Sequence, residues 1–332
     1  QMDDLLHHCN HYILVCWKRT TIHLFPILKM KKFVFRTLVF LLPLAVIGWF
    51  VFSLADGTTD ALYARFTTPK QTSLIIGTSR AAQGIVASEL NRSLNRDDIY
   101  NYAFTLGHSP FGPTYFESIK KKLNPSSSNG IFIVSVDPWS LCSKAETINK
   151  ESEFSEQERA LNTPFVDLNP NLFYLLEHYD NQYAQIIFDK TKTKLPLYLH
   201  NDGWLEVSIT MDSAAVQSRT KEKIVDYKKQ CPPNGVISEN RWGYFKKTIE
   251  YLDKYGDVVI VRMPTGKEML ELEQLHFESF NDRMQSFCSE KKLKYLDMTD
   301  GSSKFQYTDG NHLYAPASIQ FTKDLADRIL MD

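Results

Sequence analysis

This sequence predicts an α/β architecture: a parallel five-stranded sheet with helices on both faces. Three observations carry that expectation. Short apolar, β-branched runs, TSLIIG (72–77), IFIVSVD (131–137) and DVVIVRMP (257–264), have the length and composition of strands buried on both faces. Longer segments with helical spacing lie between them. The 332 residues, 43% hydrophobic and 23% charged, suffice for a sizeable core.

Residues 1–32 read as a cytoplasmic tail or a mis-assigned leader, because Met30-Lys31-Lys32 resembles the start of an export signal. The histidines His7, His8 and His11 fall in this stretch. Next comes an uncharged run, TLVFLLPLAVIGWFVFSLA (37–55), extended upstream by Phe33-Val34-Phe35. About 20 apolar residues cross a bilayer as a helix, so residues 33–55 are expected to form a transmembrane helix or signal anchor. Lys29, Lys31, Lys32 and Arg36 precede the run, and Asp56 and Asp60 follow it. The positive-inside rule then keeps the N-terminus cytoplasmic and exports residues 56–332. A cleaved signal peptide ending near Ser53-Leu54-Ala55 is the alternative, but the run exceeds the usual signal core.

In the exported part, DALYARF leads through a linker into TSLIIG, the first strand. AAQGIVASELNRSL (81–94) reads as a helix and DIYNYAFT (98–105) as a second strand. SPFGPTYFESIKKKL (109–123) is a helix entered through a turn, and IFIVSVD is the third strand. From about 138 to 240 the pattern loosens, as expected of an insertion into or over the core, with a helix candidate at 169–188. RWGYFKKTIEYLDKYG (241–256) is an amphipathic helix stopped by glycine. DVVIVRMP is the fourth strand, 270–292 a long helix, LKYLDMT (293–299) the fifth strand and 315–331 a closing helix. Five such strands suggest a flavodoxin-like three-layer sandwich, order 2-1-3-4-5, with ligands bound at the carboxyl ends of the strands.

Several function classes recede on composition. The net charge of −1 gives no basis for nucleic-acid binding, and none is expected. No C-x-x-C pair occurs, and His178, His200 and His276 lack metal-ligand spacing, so no metal and no cofactor are expected. Cys142, Cys231 and Cys288 leave one disulfide open without defining it. The 13% aromatic content reads as core packing.

Four stretches fall where strand ends converge: Gly77-Thr78-Ser79-Arg80, LGHSPFG (106–112), VDPWS (136–140) and TDGNHLYAPAS (308–318). A serine hydroxyl is a poor nucleophile until a base takes its proton, and a carboxylate fixes the tautomer of a histidine base. Asp309 and His312 are candidates for those two roles beside Ser79. The N–H groups of Ser79 and Gly107 are candidates for an oxyanion hole. Taken alone, Ser79 reads as a helix cap.

These stretches resemble the SGNH (GDSL-type) hydrolase and acyltransferase superfamily, over roughly residues 72–332. Gly77-Thr78-Ser79-Arg80 is similar to its Gly-Asp-Ser block, and Asp309-Gly310-Asn311-His312 to its D-x-x-H block. The resemblance implies Ser79 as nucleophile, His312 as base, Asp309 as orienting acid and Gly107 as second-block donor. Two positions depart: Thr78 replaces the acidic residue, and Asp137-Pro138-Trp139 stands where the third block has its asparagine. Asn101 and His108 are candidate substitutes for that donor or substrate contacts. Arg80 is a candidate clamp for an anionic group, with a structural ion pair as the alternative.

The pattern is closer to membrane-anchored branches, which include proteins resembling the D-alanine transfer protein of teichoic acid synthesis and alginate O-acetylation proteins. That resemblance implies an extracytoplasmic serine esterase or O-acyltransferase acting on acyl groups, most simply acetyl. It would use an envelope glycan or acyl-donor substrate, the membrane as anchor and a partner membrane acyltransferase. The alternative is a non-catalytic accessory on the same fold that binds or presents envelope polysaccharide.

Overall fold

The computed structural model describes residues 29–193, 195–231 and 235–331. The expected tail or leader, including His7, His8 and His11, lies outside them up to residue 28. The chain divides into two units, Gln1–Leu54 and Ala55–Asp332. In the first, helix α1 (Lys29–Ser53) is long and apolar enough to cross a membrane. Its Leu38, Phe40, Leu42, Ile47 and Phe50 are all exposed, so the helix is apolar around its whole circumference.

The second unit is α/β. Its sheet has the order β2-β1-β3-β6-β7, from β1 (Ser73–Ile76), β2 (Ile99–Asn101), β3 (Gly130–Ser135), β6 (Gly256–Arg262) and β7 (Lys294–Asp297). Every neighbouring pair is parallel, with Ile75 opposite Ile133, Ile133 opposite Val259, and Val261 opposite Leu296. β1, β3 and β6 from Val258 onward are buried almost throughout, which is why they read as continuous apolar runs rather than alternating ones, whereas the edge strand β7 is mostly only partly buried. Winding reverses between β1 and β3, which opens a crevice at their carboxyl ends.

On one face pack α2 (Ser79–Gly84), α3 (Ala87–Ser93) and the closing helix α11 (Ala315–Met331). Leu90, Phe321 and Leu325 meet Ile75, Ile133 and Val259 there. The other face carries α4 (Pro113–Lys122), α8 (Glu239–Leu252) and α10 (Phe280–Lys291), while α9 (Lys267–His276) packs against the 3₁₀ turn Thr299–Lys304. That face is sealed by aromatic edges, such as Phe111 against Phe245, 5.0 Å between centroids. Burying each such ring contributes about 1.5–3 kcal/mol.

Two expected helices are each two. Residues 81–94 break at Ile85 and Val86, which are extended and buried; Asn101 Nδ2 donates to Ile85 O, freed at the break, and to Ala81 O, which also accepts from Ile85 N. Residues 270–292 break after His276, where Phe277 turns its ring against Trp139, 5.3 Å away. The stretch 169–188 likewise forms α5 (Leu172–Glu177) and α6 (Tyr183–Phe188).

Within residues 138–240 the structure adds a hairpin, β4 (Leu197–Leu199) with β5 (Leu205–Val207), and helix α7 (Ser213–Lys228). Gly203 at the hairpin tip has φ +83°, and a Cβ there would lie 2.1 Å from Asn101 O. Of α7 only Tyr227 is buried, so no apolar stripe announced the helix. Cys142 and Cys231 form a disulfide, Cα atoms 5.9 Å apart, while Cys288 is free and buried.

Candidate active site

Ser79 is the first residue of α2, one turn beyond the carboxyl end of β1. Gly77 makes that turn. Its φ is +145°, and a Cβ would lie 2.8 Å from Ser135 O, so a side chain is excluded both by conformation and by space. The turn is anchored on both sides: Tyr115 Oη accepts from Gly77 N at 2.9 Å, and Ser109 Oγ donates to Gly77 O at 2.7 Å.

Asp309 and His312 come from the loop before α11. Ser79 Oγ lies 2.8 Å from His312 Nε2, and His312 Nδ1 lies 2.8 Å from Asp309 Oδ2. The Asp309 carboxylate also accepts the backbone N–H of Asn311 and of His312. Gly310 completes this Asx turn with φ +73°. Burial works against ionising Asp309. The charge and hydrogen bonds of His312 and the Lys223 ammonium, 3.6 Å away, outweigh it and hold the carboxyl well below the usual range. The ring proton therefore sits on Nδ1, and Nε2 is free to accept from the serine.

Ser79, Gly107 and His312 line one cavity of about 500 Å³. The N–H of Ser79 belongs to the first turn of a helix, where it has no intrahelical acceptor, and Gly107 lies in the tight turn after β2. Both remain candidates for binding an oxyanion.

The departures at 78 and 137 form a pair. Thr78 Oγ1 donates to Asp137 Oδ2 at 3.2 Å, and both residues are buried. An acid at position 78 would place two carboxylates together away from water, which is unfavourable. Asp137 also caps the short 3₁₀ turn Pro138–Leu141 by accepting from Ser140 N.

Three expected substrate contacts are corrected. Arg80 is 2% exposed; Nη2 donates to Glu273 Oε1 at 2.5 Å and to Asn311 Oδ1 at 2.7 Å, so it is a structural ion pair. Asn101 is fully buried and spends its side chain on Ala81 O, Ile85 O and Ala103 N. It therefore has no group left to serve as an oxyanion donor. His108 bonds Thr105 Oγ1 and lines a different, polar hollow with Asp60, Arg159 and His178.

The sequence reading missed the support beneath the histidine. Glu273 accepts from Arg80, Arg262 and Trp139 Nε1. Burial raises its pKa, but the two guanidinium groups prevail and the carboxyl stays low. Arg80 in turn fixes Asn311, whose Nδ2 reaches Tyr227 Oη at 3.0 Å and His312 Nε2 at 3.2 Å. From α7, Arg219 Nε donates to Thr308 O and Lys223 pairs with Asp309. Arg219, Lys223 and Tyr227 are spaced four apart, a helical face that was readable only once α7 was recognised.

No protein-family model and no curated protein sequence matches the chain.

Proposed function

We propose that the protein is a serine esterase or O-acyltransferase of the SGNH type. The observation that carries this reading is the continuous Ser79–His312–Asp309 hydrogen-bonded chain at the carboxyl end of a parallel sheet, beside an open cavity. Ser79 Oγ attacks the carbonyl carbon of an acyl ester, and its proton passes to His312 Nε2. The C–O bond to the leaving alcohol breaks, and His312 returns the proton to that oxygen. Water or a second hydroxyl then attacks the acyl-serine and gives its proton to His312 Nε2; the acyl C–Oγ bond breaks, and His312 returns the proton to Ser79 Oγ. Asp309 holds the tautomer and stabilises the imidazolium between these steps. Ser79 and Gly107 N–H groups would serve the oxyanion.

α1 would anchor the protein, and by the positive-inside rule Lys29, Lys31, Lys32 and Arg36 in its first turns would leave the remainder outside the cytoplasm. The acyl group would then belong to an envelope glycan or polymer, delivered or received with a membrane acyltransferase as partner. The accessory reading needs a serine out of reach of His312 or a cleft filled by the insertion; the 2.8 Å contact and the cavity favour the enzyme.

A fluorophosphonate probe tests this. Folded wild-type protein should label at Ser79 and Ser79→Ala should not. Absent labelling, or equal labelling of the variant, would reject the proposal.

A further inference from the structure

The rim of the catalytic cavity is cationic in a protein of net charge −1. Three lysines line it, Lys144, Lys223 and Lys229, against a single acid, Asp226. Lys223 already faces Asp309. Among the described residues, the ammonium groups of Lys144 and Lys229 have no carboxylate partner, whereas other lysines, such as Lys190 and Lys291, do. The pair is also held in place. Lys144 follows Cys142 by two residues and Lys229 precedes Cys231 by two, so the disulfide brings two distant stretches of chain to one mouth.

Unpaired ammonium groups gathered at the mouth of a partly enclosed site focus positive potential on whatever enters. A neutral sugar would call for an aromatic platform instead. Among the described residues, the one Phe, Tyr or Trp side chain lining it is Tyr227, which is buried and bonded to Asn311.

We propose that Lys144 and Lys229 select acyl esters whose alcohol half is an anion, bearing a carboxylate or phosphate near the ester. The inference rests on the serine-esterase reading and names the substrate class for that site. Both anion types share the chemistry that an ammonium recognises: localised negative oxygen able to accept a charge-assisted hydrogen bond.

The test compares three acetyl esters of similar shape: neutral 4-acetoxybenzamide, 4-acetoxybenzoate and 4-acetoxyphenyl phosphate. Each rate is normalised to the ester's own alkaline hydrolysis. Wild-type kcat/KM should favour an anionic ester over the neutral one by about tenfold at low salt. The preference should shrink between about 20 mM and 0.5 M salt. In K144Q/K229Q it should collapse about tenfold, and in K144E/K229E it should invert. Whichever anion gains more identifies a carboxylate or a phosphate substrate. No preference in the wild type, or a preference untouched in K144Q/K229Q, overturns the inference. Ser79→Ala separates the two claims. If it retains hydrolysis of all three esters, the serine-esterase reading itself fails. If it loses all three while the lysine variants leave the ratio unchanged, only the lysine inference fails.

Discussion

Asp309 grips His312 at two points, the ring Nδ1 at 2.8 Å from Oδ2 and the backbone N–H at 2.9 Å from Oδ1. One side chain thus sets both the tautomer of the imidazole and the bend of the chain that carries it. Asp309→Asn should lower kcat for ester hydrolysis by about 10³-fold or more with a smaller change in KM. Steady-state kinetics on a simple acetyl ester checks this, and a variant within a factor of ten of wild type would contradict the assigned role. Because the folded carboxyl is held low, its contribution to stability is present above the unfolded carboxyl value of about 3.9 and is lost as pH falls below it. The difference in urea midpoint between wild type and Asp309→Asn should therefore narrow below about pH 4.

Glu273 is fully buried between two arginines. Glu273→Gln leaves Arg80 and Arg262 with an uncompensated charge in the interior, a loss of about 3–5 kcal/mol. Urea unfolding should show a loss of stability of that size, read as the midpoint shift multiplied by m. Released from Arg80, Asn311 should also lose its place against His312, so kcat should fall with the fold still intact at low denaturant.

His108 should make the protein acid-sensitive. Burial, helped by the neighbouring Arg159, pushes its pKa down to about 4 from an ordinary 6.5. Below 6.5 the unfolded chain takes up the proton and the folded one does not. Stability is complete above 6.5 and declines as pH falls towards 4, by about 2–3 kcal/mol. His108→Gln should flatten that decline, as measured by chemical denaturation at several pH values between 4 and 7.

The Cys142–Cys231 bridge closes a loop of sequence separation 89. Replacing both cysteines by serine should lower stability by about 4 kcal/mol, chiefly by freeing the unfolded chain. The residues flanking the bridge line the cavity, so turnover should drop as well. Calorimetry and ester assays on the double variant check both.

Strands β1, β3 and β6 were legible because a strand buried on both faces writes its burial as an unbroken apolar run. Ser79, Asp309 and His312 were legible because their chemistry demands particular residue types at the ends of such strands. α7 was not, since its contacts with the 308–311 turn are made by Arg219, Lys223 and Tyr227, which look like an ordinary solvated face in one dimension. The ion pair of Arg80 was expected as one of two readings, but its partner could not be named. Its buried partner Glu273 sits on α9, far along the chain, and a charge with a distant partner resembles a free one. The split of 81–94 escaped because Ile85 and Val86 are as apolar as a helix face requires, and only the side chain of Asn101 reveals the break.

Ser79 leaves the first strand of the sheet, and the histidine beside it arrives in the loop that precedes the last helix, a separation of 233 residues. On the proposed reading, the nucleophile is synthesised long before the base that would activate it. A polypeptide still being made, or cut short before Asp309, carries the hydroxyl without anything to take its proton. On that reading such a fragment would not take up an acyl group from an ester, so acylation would require the Asp309–His312 loop to be in place.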